Sequence, residues 1–169
     1  MKRNYSLLIA VAVLILARLH AMADPGARAF RASLDGYHEA PLSISTNGTG
    51  SFQAMLNPTG DQLTYELQFS GLEGGNVLFA HVHIGQIGTT GGVMFFLCGG
   101  GGKPACPNSG TVTGTVSASD IIGPAGQGVA AGEFQEAIAA MRDGAAYANV
   151  HTALYTPGEI RGQINAEQF

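Results

Sequence analysis

Residues 62–69 alternate strictly between polar and apolar side chains, and this pattern constrains the fold more than any other feature of the chain. The apolar positions are Leu63, Tyr65, Leu67 and Phe69. A period of two residues is typical of an antiparallel strand that buries one face and exposes the other. The pattern therefore predicts an antiparallel sheet.

Seven further segments have the length and composition of short strands. They lie near residues 30–37, 49–56, 77–84, 92–97, 111–117, 145–152 and 159–165. The chain has 25 glycines among its 169 residues, roughly twice the usual share. This glycine content fits a chain that turns often and favours strands and loops over a helical bundle.

One segment, residues 132–142, has a helical pattern, because Phe134, Ile138 and Met141 form a stripe and Gly144 is placed to end the helix. We therefore predict an all-β fold: an antiparallel Greek-key sandwich or barrel of about eight strands, with one short helix in a connection.

The first residues have the pattern of a secretory signal peptide. Two basic residues are followed by an unbroken apolar run at 7–16 and by a small-x-small cleavage sequence at 21–23. A membrane anchor is the alternative, but the run is shorter than the ~20 residues that span a bilayer, and Arg18 interrupts its continuation. We predict a signal peptide at 1–23 and a secreted or periplasmic domain at 24–169, with no membrane span after cleavage.

The net charge argues against a nucleic-acid partner. The whole chain carries −4 at pH 7 and has no basic run. Removal of residues 1–23 takes away three basic residues and no acidic one, so five basic and twelve acidic residues remain and the net charge becomes −7. A nucleic-acid-binding surface needs the opposite charge.

The two cysteines, Cys98 and Cys106, enclose a segment that begins with four glycines. Thiols are oxidised outside the cytosol, so an even count predicts a disulfide, here one that tethers a flexible loop. The alternative is a soft-metal site, which needs thiolates that an oxidising compartment disfavours.

Alternation also places the histidines. In segment 77–84 the face that carries Ala80 and Val82 is apolar, so His81 and His83 project together from the opposite face, away from the core. By the same reasoning His151 lies on the outer face of segment 145–152, and the outer face of 159–165 is polar as well. We expect these outer faces to meet solvent.

Two histidines at i and i+2 on a strand lie about 6–7 Å apart at Cα, so their rings can converge on one ion. A solvated pair without a ligand is the alternative. If the strand of His151 neighbours that of His81 and His83, the three rings form a site suited to Cu or Zn. His38 is a further candidate ligand, although we favour an ordinary surface histidine near the Pro41 turn.

Six motifs, taken in order, resemble the CHRD domain, a module repeated in the growth-factor antagonist chordin and found singly in many exported microbial proteins. The resemblance covers about residues 31–165. Leu42 departs from a frequent second proline, and the glycine loop between the cysteines is also unusual. The motifs are Leu34-Asp35-Gly36 with Glu39 and Pro41, Asn47-Gly48-Thr49-Gly50, Ala80-His81-Val82-His83-Ile84-Gly85, Ser119-Asp120-Ile121-Ile122-Gly123-Pro124, Tyr147-Ala148-Asn149-Val150-His151-Thr152 and Gly158-Glu159-Ile160-Arg161-Gly162-Gln163-Ile164.

The order of the histidine motifs and of the closing Gly-x-x-Arg-Gly-x-Ile strand is also similar, more distantly, to copper/zinc superoxide dismutase. The likeness implies a superoxide-dismutase-like barrel, with an immunoglobulin-like sandwich as the alternative. It also implies that His81, His83 and His151 match copper ligands and that Arg161 resembles an arginine that guides an anionic substrate. No histidine lies between Gly85 and Thr111, so a two-metal site cannot be assembled.

Other motif residues have structural interpretations. Asp120 is expected to cap a short turn, Asn149 to bond a neighbouring loop, and Glu159 and Arg161 to form a surface ion pair.

The sequence contains no complete catalytic set, and dismutation is the one enzymatic activity with any support. Two hypotheses follow: an exported protein that binds one Cu or Zn ion, or a metal-free module that binds an extracellular protein or a surface.

Overall fold

The structure is a computed structural model that describes residues 26–167. Nine strands and one α-helix lie in this part of the chain. They are β1 (Ala29–Asp35), β2 (Thr49–Leu56), β3 (Leu63–Ser70), β4 (Val77–Ile84), β5 (Val93–Cys98), β6 (Gly110–Val116), α1 (Phe134–Arg142), β7 (Ala146–Thr152), β8 (Ile160–Gln163) and β9 (Asn165–Glu167). Each predicted strand has a counterpart, and the last predicted segment divides into β8 and β9.

All the strands belong to one antiparallel sheet, in the order β5-β4-β7-β8-β1-β2-β3-β6, with β9 also paired to β1. The two end strands, β5 and β6, approach each other. Tyr65 closes the gap from the inside, because its hydroxyl donates a 2.7 Å hydrogen bond to the carbonyl of Leu97. The sheet is therefore a nearly closed barrel, and the predicted all-β fold is confirmed.

The barrel interior is filled by the apolar faces that alternation predicts. Strand β3 alternates between buried and exposed residues along its whole length. The largest fully enclosed side chains include four phenylalanines, one each from β1, β2, β3 and β5: Phe30, Phe52, Phe69 and Phe95. On β4 and β7 the inward positions are small, as with Ala80 and Ala148, so these two strands direct their larger side chains to the outside.

Helix α1 confirms the predicted helix. Ile138 and Met141 are fully buried, and the helix packs against β4, β7 and β9. Gly144, two residues after the last helical residue, has a φ of 68°, a conformation that glycine adopts without strain.

Cys98 and Cys106 form a disulfide with a Cα–Cα distance of 5.1 Å. The glycine loop that they enclose lies on the ring of Phe96, and a Cβ atom added to Gly100 would collide with that ring. Lys103 anchors the loop through 2.7 Å contacts to the Thr115 carbonyl and to Asp120. The disulfide thus holds the loop against the outer surface of β5.

Asp120 caps a turn as expected, since its Oδ2 accepts a 2.8 Å hydrogen bond from the backbone N–H of Ser117. The predicted signal peptide at 1–23 lies outside the described residues. Among residues 26–167, no helix is both long enough and apolar enough to cross a bilayer.

Candidate metal centre

Strands β4 and β7 are hydrogen-bonded neighbours, which brings His81, His83 and His151 together. In the antiparallel register His151 lies opposite Phe79, while His81 and His83 lie opposite Asn149 and Tyr147. Residues that oppose each other across two antiparallel strands share a face. His151 is therefore a diagonal neighbour of His81 on the outer face of the barrel.

The three rings converge. One ligand nitrogen from each of His81, His83 and His151 lies within 4.8 Å of the other two. The ring centroid of His81 is 4.4 Å from that of His83 and 4.4 Å from that of His151. Metal–nitrogen bonds of about 2.0 Å place ligand nitrogens roughly 3.5 Å apart, so small side-chain rotations would bring the three nitrogens to the spacing that one ion requires.

Each of the three rings has one buried nitrogen without a hydrogen-bond partner. The Nδ1 atoms of His83 and His151 lie 2.9 Å from the carbonyl oxygens of Gly91 and Thr156. A carbonyl only accepts, so each Nδ1 carries the proton and each Nε2 presents a lone pair. Both Nε2 atoms and the Nδ1 of His81 are buried without a hydrogen-bond partner. Backbone-oriented imidazoles with one free nitrogen are the arrangement that metal-binding histidines use.

The cluster is buried, which corrects the expectation of an outward-facing site that meets solvent. The side chains do leave the outer face of the barrel, but the three residues are only 6–8% exposed. The ring of Phe96 makes a T-shaped contact with His81 at a centroid distance of 5.1 Å, and loops that follow β4 and β7 cover the other two rings through their carbonyls. Alternation reports which side of a strand a residue occupies, not what packs above it.

Burial also keeps the rings neutral. Loss of solvent lowers the pKa of His81 to about 2, with smaller contributions from His151 and His83. The same cause lowers the pKa of His83 to about 4 and lowers the pKa of His151. Neutral imidazole is the form that binds a metal.

Arg161 and Tyr147 form a second layer behind His83. The Tyr147 ring stacks on the His83 ring at 4.6 Å, and the Arg161 guanidinium carbon lies 3.5 Å from the centroid of Tyr147. Arg161 donates through Nη1 to the Thr89 carbonyl and through Nη2 to the Gln86 carbonyl. Alternation places Tyr147 and Arg161 on this outer face, but their stacking depends on the pairing of β7 with β8 and was not predicted.

The expected surface ion pair between Glu159 and Arg161 is wrong, because both side chains are buried and they make separate contacts. Glu159 accepts hydrogen bonds from the hydroxyls of Thr46 and Thr152 and from two backbone N–H groups. Loops pack over the outer face of β8, so its side chains bond those loops and do not meet solvent.

Asn149 bonds a neighbouring loop as expected, and its partner is the buried Glu39. Nothing in the sequence near Glu39 indicates this contact.

His38, the further candidate ligand, is exposed, and its Nδ1 lies 2.8 Å from Asp35 Oδ1. Within residues 26–167, the candidate ligand group consists of His81, His83 and His151.

The fold and the site define a small antiparallel β-barrel that carries a buried three-histidine cluster on its outer face. The family model of the CHRD domain matches residues 30–164, so the chain belongs to the CHRD domain family. The resemblance drawn from the sequence motifs is thereby confirmed. Neither the comparison with curated proteins nor the comparison with solved structures gave a match, and the similarity to superoxide dismutase stays a hypothesis. The CHRD domain is generally an extracellular module.

Proposed function

We propose that this CHRD-domain protein is exported and binds one transition-metal ion, Cu or Zn, through His81, His83 and His151. Storage, delivery or redox protection are the roles that such a site supports. The observation that carries the proposal is the set of three buried, unpartnered ring nitrogens, one from each histidine.

An unpartnered buried polar atom costs about 1–3 kcal/mol. Three such atoms in one cluster disfavour the metal-free state, and an ion that accepts a lone pair from each of the three rings would relieve that cost. The carbonyls of Gly91 and Thr156 fix the tautomers of His83 and His151 before any ion arrives. Fixed, neutral rings lose little freedom on binding, which supports a metal site over a chance cluster.

Export is supported by three separate features. Residues 1–23 have the signal-peptide pattern, Cys98 and Cys106 form a disulfide of the kind that persists in oxidising compartments, and the family is generally extracellular. The N-terminal residue of the protein secreted by a producing host, determined by mass spectrometry, tests the proposed start of the mature domain at residue 24.

Elemental analysis tests the metal site. The mature protein, residues 24–169, is purified without a tag, equilibrated with Cu or Zn and freed of excess ion. We expect about one ion per chain, and none in the variant His81→Ala/His83→Ala/His151→Ala. The matched control is His38→Ala, which removes an exposed histidine outside the cluster. Folded wild-type protein without either metal would overturn the proposal.

A metal-free interaction module is the second candidate function. Five large apolar side chains of the described residues are exposed on segments that connect the strands: Tyr37, Leu42, Ile87, Ile122 and Leu154. Such residues support contact with another extracellular protein. In this case the triple histidine variant, if folded, captures the partner as well as the wild type does.

Dismutase activity is an extension of the metal-site proposal. A superoxide assay of the copper-loaded protein tests the activity. An anion-guiding role for Arg161 would appear as a slower reaction and a weaker dependence on ionic strength in Arg161→Gln. Arg161 is 2% exposed, so a far-ultraviolet spectrum must show that this variant is folded.

A further inference from the structure

The candidate ligand set carries no negative charge. Within residues 26–167, no carboxylate or thiolate joins the three imidazoles in the group that could hold an ion. The buried carboxylate of Glu39 accepts from Asn149, and that of Glu159 accepts four other hydrogen bonds. Both cysteines are in the disulfide. A bound cation would therefore keep its full charge in a buried site.

The charge of the ion decides how much that burial costs. The work of moving an ion from water into a medium of low dielectric constant grows with the square of its charge. The desolvation penalty of a dication is therefore about four times that of a monocation. Phe96 contacts His81 and Tyr147 stacks on His83, so two sides of the site are aromatic. The positive guanidinium of Arg161 lies behind Tyr147, and its repulsion of a dication is twice its repulsion of a monocation.

The number of donors also favours a monovalent ion. Zn²⁺ takes four ligands in tetrahedral sites, and Cu²⁺ prefers a square-planar or tetragonal arrangement. Three converging nitrogens at residues only 6–8% exposed supply neither geometry from the protein alone. Cu⁺ has a filled d shell and accepts three imidazoles without a fourth ligand. It also has half the charge of either dication.

We infer that the site selects Cu⁺ over Zn²⁺ and Cu²⁺, because its three neutral, buried donors hold a monovalent ion without an anionic ligand. This inference rests on the proposed function and adds the identity and oxidation state of the ion. It makes this domain a holder of reduced copper in an oxidising compartment.

The first test compares the three ions on one protein. The full-length chain is produced in a secreting host and the exported protein is purified without a tag. Cu⁺ is titrated anaerobically against bicinchoninate, and Zn²⁺ and Cu²⁺ are titrated against chelators of known affinity. We expect Cu⁺ to bind at least a thousandfold more tightly than Zn²⁺. We also expect the midpoint potential of the bound copper to exceed that of the aqueous Cu²⁺/Cu⁺ pair.

A pair of variants tests the charge argument directly. Phe79 lies opposite His151 in the register and is 41% exposed, so a polar side chain is tolerated there. Phe79→Asp adds a carboxylate beside the cluster, and Phe79→Asn is its neutral, isosteric control. Relative to Phe79→Asn, we expect Phe79→Asp to shift the preference toward Cu²⁺ at least tenfold, which lowers the potential by about 59 mV.

The outcomes separate the two proposals. Tighter binding of Zn²⁺ than of Cu⁺, or equal potentials for Phe79→Asp and Phe79→Asn, would overturn the selectivity and leave the metal site standing. Failure of folded wild-type protein to bind any of the three ions would overturn the proposed function itself.

Discussion

The side-chain amide of Asn149 donates a 2.6 Å hydrogen bond to Oε1 of Glu39, a residue 110 positions earlier in the chain. The same amide nitrogen donates to the carbonyl of Ile160 at 2.9 Å. This contact attaches the loop between β1 and β2 to β7, two residues from His151. The outer face of β7 and β8 is therefore a buried polar layer beneath loops.

Gly158→Ala should disrupt this layer. A Cβ atom at residue 158 would lie 2.6 Å from Glu39 Oε1 and 2.7 Å from Asn149 Nδ2, and the φ of 137° is strained for any L side chain. We expect a loss of at least about 2 kcal/mol of unfolding free energy in urea titration. Gly110→Ala is the control, since its φ is 114° and a Cβ there meets nothing within 4 Å. Equal losses in both variants would mean that backbone strain alone is responsible.

Glu39→Gln should change how stability depends on pH. Burial raises the pKa of Glu39 from 4.5 to about 7, although Asn149 and Arg161 oppose the shift. A raised pKa in the folded state stabilises the fold fully below pH 4.5, and this stabilisation is lost as pH rises through about 7. Between pH 4.5 and about 7, the unfolding free energy of the wild type should fall by at most about 3 kcal/mol relative to that of Glu39→Gln.

Urea unfolding at pH 4, 5, 6, 7 and 8, with chelator present, measures this difference. The comparison removes the contribution of the buried histidines, which both proteins share. Glu66→Gln, a change to an exposed carboxylate on β3, is the control for surface charge. A difference between wild type and Glu39→Gln that does not vary with pH would contradict the raised pKa.

Glu159→Gln should destabilise the protein. The carboxylate is fully buried and accepts from the N–H groups of Glu73 and Gly74 and from the hydroxyls of Thr46 and Thr152. The glutamine side chain has an NH2 group in place of one carboxylate oxygen. This group donates and does not accept, so it leaves donors around residue 159 without an acceptor. We expect a loss of about 2–4 kcal/mol in chemical denaturation. The exposed Glu73→Gln is the matched change, and a loss as large in that variant would refute the role of burial.

Loss of the disulfide should loosen the wall of the metal centre. The bridge closes an eight-residue separation, so the variant Cys98→Ala/Cys106→Ala should be less stable by about 2–3 kcal/mol. The enclosed loop packs on Phe96, whose ring contacts His81. We also expect faster removal of bound metal by a chelator, measured by stopped-flow absorbance. An unchanged removal rate in the folded variant would show that the loop does not control access.

Metal binding should stabilise the fold, because an ion that binds only the folded state shifts the unfolding equilibrium. At a free ion concentration a hundred times the Kd, the gain is about 2.7 kcal/mol, or roughly 6–10 °C in Tm. Differential scanning calorimetry measures it. His38→Ala should keep the shift, and the triple histidine variant should lose it. A shift of equal size in the triple variant would assign the ion to another site.

Local sequence patterns were sufficient to predict most of the strands and the helix. The alternation at residues 62–69 predicted β3, and the stripe of Phe134, Ile138 and Met141 predicted α1. Each of these depends on neighbours within about ten residues. Alternation also placed His81 and His83 on one face of one strand, because side-chain direction along a strand follows from the backbone alone.

The order of the strands in the sheet decided how the candidate site is assembled. Whether β4 and β7 are neighbours depends on how the whole sheet closes around its core, and this pairing is what brings His151 to His81. The loops that bury the cluster, and the contact of Glu39 with Asn149, likewise join residues far apart in the sequence. The sequence thus determined which residues leave each face of a strand. Only the tertiary structure decided that the outward histidines lie together and out of solvent, because long-range packing, not backbone alternation, sets what covers a sheet.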